Sequence, residues 1–201
     1  MQTAASRRSR RPNGGKSAAP EHRSIASRDG ALRVVVVADT HGRPHPKSGE
    51  LIRAAKPDCI VHAGDIGDLA VLADLGKIAP VFAVRGNIDA PAPGVPEALS
   101  LDVLDGGRVS LRLLLVHIAV FGVKLRGDVA TLARSEGASL VVCGHSHIPF
   151  IGRDKGLAIF NPGSIGPRRF SLPIVFGILN VQPDASRMHH VDCETGQVWS
   201  P

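Results

Sequence analysis

Aromatic side chains are scarce in this sequence, which has no tyrosine, one tryptophan and six phenylalanines among 201 residues. Proteins that bind single-stranded nucleic acid stack the bases on aromatic rings, so the scarcity argues against such a surface. Long hydrophobic runs are also missing, because every apolar stretch falls well short of the ~18 residues that cross a bilayer. We therefore expect a soluble globular protein with no membrane partner.

Cysteine is equally sparse, and Cys59, Cys143 and Cys193 show no CxxC spacing. This spacing argues against a disulfide framework. It also argues against a structural zinc site with cysteine ligands. Cys59 and Cys143 lie inside apolar runs, which favours buried, reduced thiols. We expect a reducing, cytoplasmic setting.

Net charge is unevenly distributed along the chain. The formal charge is +6, yet residues 1–30 hold six Arg and one Lys against Glu21 and Asp29, so five of the six charges lie there. This segment is rich in Ser, Arg, Ala, Gly and Pro without apolar periodicity, and we predict a disordered basic tail over residues 1–30. A folded domain should follow over residues 31–201. Weak nucleic-acid binding through the tail and an organellar transit peptide are the alternatives to a solvated tail.

The folded part alternates strand-like and helix-like stretches. Apolar runs rich in β-branched residues predict buried strands over residues 32–39, 58–65, 80–87, 109–117 and 139–145. Helical patterns lie at residues 49–56, 68–77 and 127–137. The first alternations predict βαβ units with parallel strands, whereas strands without helices after residue 150 predict a second sheet.

Each of the five predicted strands ends on a polar side chain, namely Asp39, Asp65, Asn87, His117 and His145. Functional crevices of α/β proteins lie beyond the carboxyl ends of the strands. Buried carboxylates and amides without partners are also costly. Taken singly, Asp39 and Asp65 would be predicted as turn or helix caps and His117 as a core histidine. Their joint occurrence favours a metal site.

The full set consists of D39-T-H41, G64-D65, G86-N87, H117 and G144-H145-S146-H147. Four imidazoles exclude the all-oxygen preference of calcium and disfavour magnesium. Seven ligands are too many for one tetrahedral ion and suit two ions that share a carboxylate.

This pattern, with the later N161-P-G-S164, resembles that of the calcineurin-like metallophosphoesterases, and in particular their small bacterial and archaeal phosphodiesterase branch. The resemblance implies an α/β fold, a four-layer αββα sandwich with two mixed β-sheets. It also implies two divalent metal ions, most often manganese, with iron, zinc or nickel as alternatives. By position, Asp39, His41 and His147 should hold the first ion, Asn87, His117 and His145 the second, and Asp65 should bridge them.

The implied activity is hydrolysis of a small phosphodiester by a metal-bridging hydroxide, with Asp65, Asn87 and Asp89 as catalytic residues. The sequence departs from the family at Ile88, where many members have a histidine that protonates the leaving group, and at Ile118, which replaces a glycine. We therefore expect poor turnover of alkyl monoesters. The alternative is a non-catalytic protein-binding scaffold with an impaired active site, because one subunit of a eukaryotic membrane-coat sorting complex resembles this fold.

The remaining polar residues give weaker predictions. His62 has the opposite strand parity to Asp65 and should face away from the metals. His45, Arg168 and Arg169 are candidates for contact with the substrate, since His45 lies in a Pro-rich loop and the arginines follow the NPGS motif. His189 and His190 are expected to be exposed.

Overall fold

The structure is a computed structural model that describes residues 19–200, and in this range the chain forms three helices and fourteen strands. The helices are α1 (Ser48–Ala54), α2 (Ala70–Gly76) and α3 (Gly127–Ser135). The strands are β1 (Glu21–Ala26), β2 (Leu32–Val37), β3 (Cys59–His62), β4 (Val81–Ala83), β5 (Ala98–Asp105), β6 (Arg108–Val116), β7 (Val120–Phe121), β8 (Lys124–Leu125), β9 (Leu140–Val142), β10 (Pro149–Asp154), β11 (Leu157–Pro162), β12 (Val175–Val181), β13 (Arg187–Asp192) and β14 (Val198–Trp199).

Two mixed sheets of six strands contain all of these strands except the small β7–β8 hairpin. The first sheet has the order β1-β5-β6-β9-β11-β10, and the second has the order β14-β13-β12-β2-β3-β4. In the second sheet β2, β3 and β4 are parallel, as the βαβ pattern predicts. In the first sheet β9 runs parallel to both of its neighbours, β6 and β11.

The hydrophobic core between the sheets explains the apolar runs. Val34 and Val36 of β2 pack with Leu113, Leu115 and Phe160 of the first sheet in one buried cluster. The alternate valines of β2, Val35 and Val37, pack on the opposite face with residues of α1 and α2. Because β2 is buried on both faces, its sequence is a continuous run of valines.

A third cluster covers the outer face of the first sheet, where Leu114 and Val141 pack against Val129 and Ala133 of α3. The layers therefore follow the order α3, first sheet, second sheet, then α1 with α2. This arrangement is the predicted four-layer αββα sandwich.

Strand β1 corrects the predicted tail. Residues 21–26 pair in parallel with β5, from Glu21 opposite Leu99 to Ala26 opposite Leu104, and Ile25 packs against the core between the sheets. Disorder up to residue 30 is therefore wrong for this segment. Main-chain hydrogen bonds hold this strand in the sheet. Because it has only one large apolar side chain, its sequence shows no alternation of apolar and polar residues. Residues 1–18 lie outside the described part of the chain.

The predicted strands and helices near the motifs are all present, but four of the five strands are shorter than predicted. β3 ends at His62, β4 at Ala83 and β9 at Val142, so the motif residues lie in the loops just beyond the strands. Residues in a loop can adopt backbone conformations that a strand excludes. The predicted metal ligands are therefore not restricted to strand geometry. Among residues 19–200 no helix has the length and apolar character needed to span a bilayer.

Candidate metal centre

The loops after β2, β3, β4, β6 and β9 meet at one end of the sandwich and carry all seven predicted metal ligands. Backbone hydrogen bonds fasten these loops to one another beyond the ends of the strands. Asp39 N donates to the Gly64 carbonyl at 2.9 Å and His41 N donates to the Asp65 carbonyl at 3.0 Å. Between the loops of the first sheet, Gly144 N donates to the His117 carbonyl at 3.0 Å. These bonds join the loop after β2 to the loop after β3, and the loop after β6 to the loop after β9.

A first group of ligands contains Asp39, His41 and His147, whose ligand atoms all lie within 4.8 Å of one another. His41 Nε2 lies 3.3 Å from His147 Nε2, and His147 Nε2 lies 3.4 Å from Asp39 Oδ1. These three side chains converge on one point, as the resemblance implies for the first ion.

A second group contains Asp65, His117 and His145, again within 4.8 Å. The side-chain oxygen of Asn87 joins it, because Oδ1 lies 3.1 Å from His117 Nε2 and 3.2 Å from His145 Nδ1. The structure thus places Asn87 with the two histidines that were predicted to share its ion.

Asp65 lies between the two groups. Its Oδ1 is 3.2 Å from His117 Nε2 in the second group, whereas its Oδ2 is 3.9 Å from His41 Nε2 in the first. Each carboxylate oxygen therefore faces a different group, and this position suits a ligand that two ions share.

Burial and charge indicate that the first group suits a cation. Asp39 has no solvent exposure, and burial raises the pKa of its carboxyl group to about 7. Its oxygens accept only the backbone N–H of His145, at 3.0 and 3.2 Å. Burial lowers the pKa of His147 to about 4, helped by the positive charge of Arg169, so this imidazole is neutral and able to ligate. A buried carboxylate beside neutral imidazoles fits a divalent ion.

The second group differs in charge, although hydrogen bonds also orient its ligand atoms. His117 Nδ1 donates to the Ala63 carbonyl at 2.8 Å, which leaves Nε2 free to face Asp65 and Asn87. Burial opposes charge on His117, but its hydrogen bonds to Asp65 and Ala63 outweigh burial and raise its pKa. Burial likewise favours the neutral form of Asp65, yet the His117 contact lowers the pKa of Asp65 to about 2. Asp65 is therefore ionised, as a bridging carboxylate must be.

The backbone at these ligands is unusual. Nine non-glycine residues among those described have positive φ, and five of the nine belong to the ligand set: Asp39, His41, Asp65, His145 and His147. Such conformations are sparsely populated and concentrate at functional sites. Here the hydrogen bonds between the loops hold the backbone in this conformation.

Glycine is required at two positions where loops approach closely. A Cβ at Gly86 would lie 2.1 Å from Asp65 Oδ1, and one at Gly64 would lie 2.7 Å from His117 Nδ1. Gly64 also has a φ of +91°, which other residues rarely adopt. The glycines that precede Asp65 and Asn87 in the motifs thus leave room for the ligand side chains.

The NPGS motif positions ligand loops from the opposite side. The buried Asn161 side chain donates through Nδ2 to the Gly144 carbonyl at 2.8 Å and to Ser146 Oγ at 3.1 Å. Ser164 Oγ donates to the Asp39 carbonyl at 3.0 Å. Asn161 therefore supports the loop that carries His145, and Ser164 supports the loop that carries Asp39.

Asp89 and His62 lie behind the ligands. The Asp89 carboxylate accepts the backbone N–H groups of Gly86, Ile66 and Gly67 at 2.7, 3.0 and 2.9 Å. It ties two ligand loops together and belongs to neither group of ligands. His62 is fully buried, as predicted: its Nδ1 accepts from Gly64 N at 3.2 Å, and its Nε2 lies 3.0 Å from Thr40 Oγ1.

The remaining predicted residues divide between the site and the rest of the fold. Arg169 faces the first group, with a guanidinium nitrogen 3.2 Å from His41 Nε2, whereas Arg168 pairs with Glu194. His45 makes contacts within its own loop, where its Nδ1 accepts from Lys47 N.

The prediction that His190 is exposed is wrong. Its ring is buried near Phe160 and Trp199, and its Nε2 lies 2.8 Å from the Asn161 carbonyl. His190 alternates with His189 along β13 and faces inward. His190 and the next residue, Val191, are both buried, so this strand has no simple alternation that would have indicated the position of His190.

Comparison with known proteins agrees with this geometry. A family model described as a calcineurin-like phosphoesterase superfamily domain matches residues 32–184. A probable metallophosphoesterase of Methanothermobacter thermautotrophicus is 32% identical over 153 residues, which cover 72% of this chain and 83% of the relative.

Two solved structures share the fold. A phosphoesterase from E. coli, YfcE, superposes with a TM-score of 0.59 at 21% identity and covers 84% of this chain and 97% of its own. The wild-type Vps29 of Entamoeba histolytica, solved in complex with zinc, gives a TM-score of 0.66 at 20% identity, covering 84% of this chain and 96% of its own.

Proposed function

The chain belongs to the calcineurin-like phosphoesterase superfamily, and from this premise we propose that it is a phosphodiesterase that works with two divalent metal ions. The observation that carries the proposal is the position of Asp65, whose two carboxylate oxygens face different groups of ligands. A site for one metal ion would not need ligand groups on both sides of the same carboxylate. In this proposal Asp39, His41 and His147 hold one ion, Asn87, His117 and His145 hold the other, and Asp65 bridges them.

The donor set favours transition metals. Four imidazoles suit metals such as iron, zinc and nickel. We place manganese first because the family resemblance implies it, and we keep iron, zinc or nickel as alternatives. Two such ions would supply Lewis-acid polarisation of the phosphoryl oxygens and a hydroxide nucleophile at neutral pH. Since the ions would bring more positive charge than Asp39 and Asp65 remove, the site would attract an anionic phosphoester.

Arg169 is the residue best placed to bind the substrate. Its guanidinium group reaches the first group of ligands, and it is exposed on the solvent side of the site. A guanidinium matches two phosphoryl oxygens with two parallel hydrogen bonds. We assign Arg169 to orienting the phosphoryl group.

Ile88 supports a diester substrate. It directly follows Asn87, its side chain is 50% exposed, and it has no proton to give to a leaving group. General acid catalysis contributes typically ~10²–10⁴ in rate, so esters with poor leaving groups should react slowly. Asp89 does not replace the missing acid, because its oxygens accept three backbone N–H groups. The proposed substrates are small phosphodiesters with leaving groups that depart as stable anions.

The buried thiols support a reducing location. Cys59, Cys143 and Cys193 are all free and buried, and burial raises the pKa of each thiol to about 12. Thiols in this state neither pair nor react readily. We propose that the protein works in the cytoplasm.

The competing function is that of a protein-binding scaffold, since Vps29 structures share this fold. The complete set of seven ligands favours the enzyme, because a scaffold gains nothing from convergent buried ligands that cost stability without an ion. The test measures metal content by elemental analysis and hydrolysis of bis(4-nitrophenyl) phosphate after reconstitution with Mn²⁺. We expect two ions per chain and complete loss of hydrolysis in excess chelator. Bound metal without any hydrolysis would favour the scaffold, and one ion per chain would contradict the dinuclear site.

A further inference from the structure

A cavity of about 550 Å³ opens beside His145, on the side of the second group of ligands. Its walls come from the loop after β6, the β7–β8 hairpin and the loop after β9, and they include Ile118, Val120, Phe121, Arg126, His145 and Ser146. An adjoining cavity of about 740 Å³ shares Ile118 and Arg126 and reaches His117. Small-molecule sites occupy ~300–1,000 Å³, so the organic part of a substrate fits here.

The distribution of the aromatic residues is a second reason to consider this cavity a ligand site. The sequence has only seven aromatic side chains, and five of them are buried or half-buried in the fold: Phe82, Phe150, Phe160, Phe176 and Trp199. The other two, Phe121 and Phe170, are 89% and 94% exposed. Phe121 lines the cavity, whereas Phe170, which follows Arg169 in the sequence, is not among the residues that line it. The exposed ring of Phe121 contributes nothing to the core and is free to contact a ligand.

The hairpin that carries Phe121 is anchored to the rest of the fold. Leu125 N donates to Asp154 Oδ2 at 2.8 Å, and Arg126 N donates to the Ala119 carbonyl at 2.9 Å. The Leu125 side chain is buried in the cluster under α3. These contacts fix the base of the hairpin at the edge of the cavity and hold the Phe121 ring near His145.

Two polar side chains of the cavity, Arg126 and Ser146, already have partners. The Arg126 guanidinium pairs with both oxygens of Asp128, at 2.7 and 3.1 Å, which neutralises its charge. Ser146 Oγ accepts from Asn161 Nδ2 at 3.1 Å and from Ile148 N at 3.2 Å. A second phosphate would therefore find no free cation, and a sugar would find few partners for its hydroxyl groups. An uncharged apolar group is the ligand that this cavity suits.

We infer that the cavity is a substrate subsite that binds a flat aromatic group of the phosphoester, while the phosphoryl group lies at the proposed metal pair. The Phe121 ring and the Arg126 guanidinium are both planar groups that pack on aromatic rings. Ile118 and Val120 provide the apolar wall between them. The inference rests on the proposed function, since it takes the metal pair as the position of the phosphoryl group.

Binding of non-hydrolysable phosphonates to the Mn²⁺-loaded protein tests the subsite. Calorimetric titration compares phenylphosphonate with methylphosphonate, which present the same phosphonate group to the metals. We expect phenylphosphonate to bind about tenfold more tightly, as one aromatic contact with its burial allows. Phe121→Ser should remove most of this preference, whereas Phe121→Tyr should keep it. Phe121 is exposed, so neither substitution disturbs the core.

Phe170→Ser is the matched control, because Phe170 is similarly exposed but does not line the cavity. It should leave the ratio of the two affinities unchanged. Equal losses in Phe121→Ser and Phe170→Ser would overturn the subsite, and so would equal affinities of the wild-type protein for the two phosphonates. Equal gains for hexylphosphonate and phenylphosphonate would overturn the assignment of a flat ring.

The same titrations separate this inference from the proposed function. A phenyl preference that depends on Phe121, found in a protein that hydrolyses no phosphodiester, supports the subsite and contradicts the enzyme. Hydrolysis of bis(4-nitrophenyl) phosphate by a protein without any phenyl preference supports the enzyme and overturns the subsite.

Discussion

A guanidinium nitrogen of Arg169 lies 3.2 Å from Nε2 of His41. Arg168, the preceding residue, points away and is held by Glu194 and by the Leu172 carbonyl at 2.8 Å. Two adjacent arginines therefore have different environments, one at the candidate metal centre and one against a distant loop. This difference provides a pair of variants of equal charge change.

Arg169→Ala should raise the KM for a small phosphodiester by roughly tenfold. This corresponds to the loss of part of the ~1.5–3 kcal/mol that a charge-assisted hydrogen bond contributes. The metal content should stay at the wild-type value, since arginine is no ligand. Steady-state kinetics with elemental analysis measure both quantities. Arg168→Ala makes the same change in net charge and should leave KM unchanged. Equal effects in the two variants would mean that Arg169 acts only through long-range electrostatics.

Asp65→Asn should reduce metal content and hydrolysis more than any single histidine substitution. The change removes the one ligand that faces both groups and takes away a negative charge that two cations need. Elemental analysis of Asp65→Asn and His147→Ala, purified in parallel, provides the comparison. We expect the loss of both ions in the first variant and mainly of one ion in the second. A larger loss in His147→Ala would show that Asp65 does not bridge.

Asn161→Ala should weaken binding of the second ion and destabilise the fold by about 1–3 kcal/mol. The Gly144 carbonyl would lose one of its two donors, and the buried Gly163 N–H would lose its acceptor. The loop that carries His145 would lose its support from β11. Metal titration and chemical denaturation measure the two effects separately. Asn180→Ala is a suitable control, since Asn180 Oδ1 accepts from Arg33 Nε at 2.9 Å, away from the metal ligands. It should leave metal affinity unchanged, and an equal loss of affinity would contradict a positioning role for Asn161.

His62 should make stability depend on pH. Burial lowers the pKa of His62 to about 4 from an ordinary value of 6.5, so the unfolded chain binds the proton first as the pH falls. The contribution of His62 to stability is complete above about pH 6.5 and is lost as the pH falls toward 4, which amounts to at most about 3 kcal/mol. Denaturation of the metal-free protein across this window measures the decrease. His62→Gln, which keeps a donor for Thr40, should flatten the profile, and an unchanged slope would show that other groups cause it.

Ile88→His should accelerate hydrolysis of alkyl phosphoesters by about tenfold, at the lower end of general acid catalysis. Ile88 is half-exposed, so an imidazole fits without disturbing the core. The gain should be modest because Asp89 is held by three backbone N–H groups and is not free to orient the new ring. Esters of 4-nitrophenol should change little, since their leaving group departs unaided. An unchanged ratio of alkyl to aryl rates in a variant with both metals would contradict a leaving-group position for residue 88.

Much of the fold was predictable because burial on both faces gives runs such as Val34–Val37, whose composition alone indicates a central strand. β1 was missed for the opposite reason. It lies at the edge of the first sheet, exposes most of its side chains and buries only part of Ile25. Edge strands depend on main-chain hydrogen bonds, which leave little trace in the side-chain pattern.

The metal ligands were predictable as a set because their residue types, spacing and order are all restricted by ligation. The residues around them were harder to predict. Asp89 follows Asn87 in the motif and suggested a catalytic role, yet its carboxylate braces backbone N–H groups. Arg168 and Arg169 have the same chemistry and adjacent positions, so only the direction of each side chain distinguishes them. Such directions depend on loop geometry, which local sequence does not determine.

Five of the ligand residues have a left-handed backbone conformation, which restricts the substitutions that these positions can accept when activity is lost in evolution. Single-nucleotide changes convert Asp into Asn, Gly or Val, and they convert His into Asn. The backbone of Asp39, with φ of 54°, accepts Asn or Gly but strains a β-branched residue such as Val. Lineages that abandon catalysis while keeping the fold should therefore accumulate asparagine and glycine at these five positions. The chemistry of the centre can be lost in one mutation, whereas the shape of its loops should persist in the descendants.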